Sequence, residues 1–250
     1  RKYRFRLLDG GPSRFYSLWL SNGMPFQHIA NDGNMLPAPI TAQSVQLGVA
    51  ERADIVVDFS QLPASTTELY IINRAEQVDG RGPTGNLLPM SQAPKLLKLV
   101  IRPSTGAPDN SRVPTSLRPK PAMDLPVART RDWHFDRTNG MWTVNGKLFD
   151  HNRCDAECKQ GTAEIWNFST AGGWAHPVHL HCEEPLVLSY NEKPVAGTVL
   201  GGRKDVFTLY PGDTMSVYIK FRDWLGRYPM HCHNTVHEDH AMMVRWDIVP

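Results

Sequence analysis

His231-Cys232-His233-Asn234-Thr235-Val236-His237-Glu238-Asp239-His240-Ala241-Met242-Met243 is the stretch on which the reading of this chain turns. A cysteine stands between two histidines, a third histidine follows it by five residues, and a methionine follows it by ten. Thiolate, imidazole and a weak axial thioether are the donors of a trigonal copper site, so Cys232, His237 and Met242 make a ligand set lacking one imidazole. Successive side chains of an extended strand point to opposite faces. If the stretch is a strand, His231 and His233 share one face and Cys232 takes the other.

The missing imidazole is found upstream, in His176-Pro177-Val178-His179-Leu180-His181. By the same parity His179 and His181 share a face, and His176 belongs on the other. His176 therefore groups with Cys232, and His179 and His181 group with His231 and His233. Two metal sites then lie back to back, joined through a backbone that rises about 3.3 Å per residue, which is a route for electrons. The competing reading is a buried thiol among structural histidines. Six histidines, four of them in two H-x-H motifs, with Met242 in step, weigh against it.

At these residues the chain resembles the C-terminal half of a multicopper oxidase. His237-Glu238-Asp239 with Met242-Met243 looks most like the branch of bilirubin oxidases and bacterial spore-coat laccases. The resemblance implies that His176, Cys232, His237 and Met242 hold type 1 copper, that His179 holds type 2, and that His181, His231 and His233 hold the type 3 pair. It also implies that Glu238 helps protonate reduced oxygen and that Trp174 accepts electrons from substrate near the surface. A solvated carboxylate and a tryptophan packed on the sandwich edge are the alternative readings of those two.

In such oxidases eight histidines in four H-x-H motifs hold the trinuclear cluster, and this chain supplies His179, His181, His231 and His233. The expectation is therefore a partner, a second chain carrying an N-terminal cupredoxin domain with two H-x-H motifs. Odd Cys182 is a candidate bridge to it. The implied activity is one-electron oxidation of phenols, aromatic amines or tetrapyrroles, coupled to four-electron reduction of dioxygen to water. A manganese or cuprous-ion oxidase, or a non-catalytic blue-copper electron carrier, are the alternatives. The implied location is secreted, extracellular or periplasmic.

Composition agrees with a β-rich protein. The 250 residues are 41% apolar and include 20 prolines and 19 glycines, a balance that favours many turns. A net charge of +2 lacks the clustered basic residues of a nucleic-acid footprint. No stretch has the length and apolar character of a membrane-spanning helix. The start at Arg1-Lys2-Tyr3-Arg4-Phe5 reads as the inside of a strand, so a processed or cleaved product is expected. If Cys232 is a metal thiolate, Cys154, Cys158 and Cys182 remain. Cys154 and Cys158 either close a short loop or are both free and exposed, and Cys182 is expected to be buried near the metals or bridged.

Along the chain, short strand-like runs alternate with turn signals such as Asn22-Gly23, Asp32-Gly33 and Asn145-Gly146. The fold class expected is all-β, with two cupredoxin-like Greek-key β-sandwiches. Residues 1–102 resemble the copper-free middle domain, with Arg52 and Asp54 of its E-R-x-D read as ion-pairing residues. Residues 103–126, with six prolines, read as a linker, and residues 127–250 as the copper-binding sandwich. His28, His134, His151 and His240 have no ligand spacing and read as structural. Asn167-Phe168-Ser169 is a glycosylation sequon on a buried strand, and is expected to stay unused.

Overall fold

The strand Met243–Val249 buries Val244, Trp246 and Ile248 and leaves the residues between them part-exposed, the period of two that one core-facing side imposes. Ala163–Thr170 repeats the pattern with Trp166 and Phe168. In the computed structural model, which describes residues 1–103, 106 and 108–250, such strands assemble into four sheets.

Residues 2–100 form two four-stranded sheets. One runs in the order Lys2–Leu8, Arg52–Asp58, Phe26–Asn31, Asn34–Ala42, and the other Ser44–Leu47, Tyr16–Leu20, Glu68–Asn73, Lys95–Val100. Leu18, Leu20, Val45 and Leu69 of the second sheet pack against Phe26, Ile55 and Val57 of the first in one core, so the pair is a sandwich. The hairpin Phe26–Asn31/Asn34–Ala42 was visible in the sequence only as its turn. Pro37 and Pro39 conceal its second strand, which tolerates them because it lies at the sheet edge.

Residues 127–249 form a second sandwich. Its six-stranded sheet runs Met141–Val144, Val127–Thr138, Ala163–Thr170, Thr214–Lys220, Leu186–Tyr190, Lys193–Pro194. Its five-stranded sheet runs Ala156–Lys159, Met243–Val249, Gly226–Cys232, His176–Leu180, Val206–Leu209. The core between them holds Trp133, Trp166 and Trp246. Each buried indole takes on the order of 200 Å² out of water, a gain of roughly 3–5 kcal/mol before conformational entropy is subtracted.

Between the sandwiches, the described residues of 103–126 form neither helix nor strand. Ser104, Thr105 and Ala107, part of the expected linker, lie outside the described residues. The segment touches both sandwiches: Leu117 N–H donates to Pro37 O at 2.9 Å, and the Tyr218 hydroxyl donates to Leu125 O at 3.0 Å. No helix among the described residues is long and apolar enough to cross a membrane.

Candidate metal centre

Gly226–Cys232 lies inside its sheet, between His176–Leu180 and Met243–Val249. Its register against His176–Leu180 pairs Val178 with Cys232 and His179 with His231. Paired residues share a face, so Cys232 and Val178 look one way and His179 and His231 the other. His176, two residues before Val178, joins Cys232. Just past the strand, His233 N–H donates to Pro177 O at 2.6 Å, which keeps the extended pairing for one more residue.

The chain then turns into a short helix, Thr235–Asp239, capped by the Asn234 side chain accepting from Val236 N–H. This turn brings His237 back over Cys232. Met242 N–H donates to His237 O, and Cys232 N–H to Met242 O, both at 3.1 Å. The Met242 backbone is thus tied to both residues, and its side chain lies fully buried in the same core.

Cys232 Sγ lies 3.5 Å from His176 Nδ1 and 3.4 Å from His237 Nδ1, and the two nitrogens are 3.2 Å apart. The centre of a triangle with those sides is about 2 Å from each corner, the length of a metal–imidazole bond. His176, Cys232 and His237 are all buried. Burial holds His176 down to about 3, with His237 and His134 adding to it, and holds His237 down to about 4, with Arg137 adding. Both rings are therefore neutral, the ligating form. Burial pushes the Cys232 thiol far up, so a thiolate here requires a cation to stabilise it.

On the other face, His179, His181 and His231 bring one nitrogen each within 4.8 Å of one another, with His181 Nε2 3.2 Å from His231 Nε2. His233 stands beside them, its ring centroid 5.4 Å from His231 and 5.7 Å from His179. Its Nδ1 is buried without a hydrogen-bond partner. Burial is the first cause lowering His179 and His181, and it lowers His231 to about 3. Converging neutral imidazoles and an unsatisfied buried nitrogen fit a metal cluster better than a hydrogen-bonded core.

Glu238 is part-buried, and its Oε2 lies 3.4 Å from His231 Nδ1. Trp174 meets His237 edge-on at 5.7 Å. Trp142, which belongs to no motif in the sequence, stacks directly on His237 and meets Trp174 edge-on at 4.6 Å. Arg81 and Arg137 lie over the Trp174 ring, at 5.6 and 5.8 Å. Arg81 comes from the first sandwich, where its carbonyl accepts from Ala175 N–H at 2.7 Å. The neighbouring Gly82 (φ +124°) has no room for a side chain, since a Cβ would come within 2.7 Å of Ala175 Cβ.

Other expectations resolve as follows. His28 is buried and hydrogen-bonded to Ala30 O and Asn31 Oδ1, His134 contacts Ser169 Oγ, and His151, His240 and Asp239 are exposed. Arg52 and Asp54 do form ion pairs, Arg52 with Asp205 and Asp54 with Arg4. Cys154 and Cys158 are unbridged, one exposed and one buried, because Cys158 faces the core from the strand Ala156–Lys159. Cys182 is exposed rather than buried: its backbone turns left-handed (φ +74°) directly after His181 and carries it off the sheet. Asn167 is held by Asp132 and Ser216 on a central strand.

A soft donor triangle and an imidazole cluster on opposite faces of one strand define a redox protein of the copper-handling class. A family model described as "Multicopper oxidase" matches residues 119–250, and the chain belongs to that family. It is 35% identical to the bilirubin oxidase of Albifimbria verrucaria, over 99% of this chain and 44% of that protein. It is 29% identical to the laccase of Bacillus subtilis (strain 168), over 99% of this chain and 51% of that protein. Among solved structures, a laccase from Pediococcus acidilactici superposes with a TM-score of 0.82 at 26% identity, covering 100% of this chain and 50% of that one. The chain spans about half the length of the relatives it matches.

Proposed function

We propose that this chain carries the type 1 copper site and half of the trinuclear site of a laccase- or bilirubin-oxidase-type enzyme. In that reading His176, Cys232, His237 and Met242 hold type 1 copper, His179 holds type 2, and His181, His231 and His233 hold the type 3 pair. Copper, when bound, supplies one-electron redox chemistry and the reduction of dioxygen. The observation that carries the reading is the consecutive placement of His231, Cys232 and His233, which links the two donor sets through two peptide units.

The protein's own groups have separable tasks. Trp174 and Trp142 cover His237, keep water from the thiolate side, and offer a path for electrons from a small aromatic donor such as a phenol, aromatic amine or tetrapyrrole. Glu238, its Oε2 3.4 Å from His231 Nδ1, relays protons toward reduced oxygen. The balance requires four electrons and four protons for each dioxygen converted to two waters. The four remaining imidazoles come from an N-terminal cupredoxin domain with two H-x-H motifs, outside these 250 residues.

A simple blue-copper electron carrier would use the Cys232 set alone, and the second set of four imidazoles speaks against it. The test is copper content together with the ratio of donor oxidised to oxygen consumed. About four coppers per active unit and four electrons per dioxygen are expected. An active preparation in which mass spectrometry finds only this chain, reducing dioxygen to water, would overturn the shared-cluster reading.

A further inference from the structure

The segment Lys204-Asp205-Val206 leads into the strand beside His176–Leu180, and it is held from the first sandwich by an ionic network. Arg52 reaches across and grips Asp205 bidentately, Nη1 to Oδ1 and Nη2 to Oδ2, both at 2.7 Å. Asp32, in the turn Asp32-Gly33, has a fully buried carboxylate. Its Oδ2 accepts from the backbone N–H groups of Asp205 and Val206, both at 3.3 Å. Lys204, itself buried, donates to Asp32 Oδ2 at 3.0 Å and to Glu51 Oε1 at 3.1 Å, while Asp32 Oδ1 accepts from Arg52 N–H at 2.9 Å.

The Asp205 carbonyl uses both of its acceptor directions on the metal-facing strand. It accepts from Leu180 N–H at 2.9 Å and from His179 Nδ1 at 2.8 Å. A carbonyl only accepts, so this bond places the His179 proton on Nδ1 and leaves the Nε2 lone pair free to ligate. We propose that Arg52 and Asp32, on the sandwich without metal ligands, are positioning residues that fix the orientation and tautomer of His179 through Asp205. The first sandwich then acts on the trinuclear side of the centre by way of Asp205. A partner of this kind typically changes metal affinity by about 10–100-fold when lost.

The inference rests on His179 as a copper ligand, and the test separates the two. In metal-free protein labelled with ¹⁵N-histidine, long-range ¹H–¹⁵N spectra should show His179 as a single Nδ1–H tautomer. Arg52→Gln should give a tautomer mixture, and Arg52→Lys should move it back toward the parent. In copper-loaded protein that includes the domain supplying the other four imidazoles, Arg52→Gln should weaken copper retention at the type 2 electron paramagnetic resonance signal by about tenfold, with blue absorption unchanged. Arg4→Gln, which removes the Arg4–Asp54 pair of the same sandwich, should change neither readout. If Arg52→Gln does not fold, Asp205→Asn, which keeps the carbonyl but weakens the Arg52 grip, is read in the same way.

A folded variant with parental tautomer and parental copper retention overturns the positioning role. Full copper retention in His179→Ala instead overturns the ligand assignment on which it rests.

Discussion

Trp142 lies flat against His237, ring centroids 3.7 Å apart and planes 23° from parallel, with Trp174 closing the same imidazole edge-on. His237 is therefore clamped by two indoles. Trp142→Ala is expected to cost about 3–5 kcal/mol in stability, and Trp142→Phe, which keeps a ring to stack, clearly less. Denaturant midpoints decide. Equal losses in the two variants would mean that the stack does not hold His237.

Cys232→Ser should abolish the intense blue absorption of the copper-loaded protein. An alcohol stays protonated where the metal would stabilise a thiolate, and Cys232 is the one thiol of the buried triangle with His176 and His237. Visible absorption at full copper load is the measurement, and a blue Cys232→Ser protein would remove the type 1 assignment.

For Glu238→Gln the expected outcome is slower turnover with unchanged reduction of type 1 copper by substrate. The carboxylate meets His231 on the imidazole-cluster face, whereas electron entry is placed at His237, so only the proton-dependent half-reaction should suffer. Stopped-flow kinetics of the two half-reactions separate them. Slowing of anaerobic reduction by as much as turnover would place Glu238 elsewhere in the mechanism.

Asp9 supplies a pH-dependent prediction. Burial raises its carboxyl from 3.8 to about 7, opposed by the Gly11 N–H and reinforced by Glu51, and its Oδ2 has no hydrogen-bond partner. Between those two values the folded state binds more protons than the unfolded one. Stability therefore falls as pH rises from about 4 to about 7, and the penalty persists above. Asp9→Asn should raise stability on the order of 2–4 kcal/mol at pH 8 and change it little at pH 4. Parallel stability-against-pH curves for parent and variant would contradict this.

Much of the site could be read in the sequence because strand parity is rigid. Once the H-x-H motifs are extended, the side of each residue follows from counting, and the structure places His176 with Cys232 and His179 with His231 as counted. The short runs that lie between turn signals are strands in the structure, among them Tyr16–Leu20, Met141–Val144 and Leu186–Tyr190. Asn34–Ala42 is not legible as a strand, because proline is excluded from central strands and sequence does not say which strand lies at an edge.

What the sequence determined by itself was everything carried by covalent spacing: the donor types, their parity on a strand and the all-β pattern. Only the tertiary structure decided which distant groups complete the environment. Trp142 reaches His237 across 95 positions and Arg52 reaches Asp205 across 153, separations at which no local periodicity operates. Those contacts are set by how sheets stack and by where a buried charge finds its counter-charge. That is a property of packing in three dimensions, and it brings Arg52 of the first sandwich to Asp205, whose carbonyl accepts from His179.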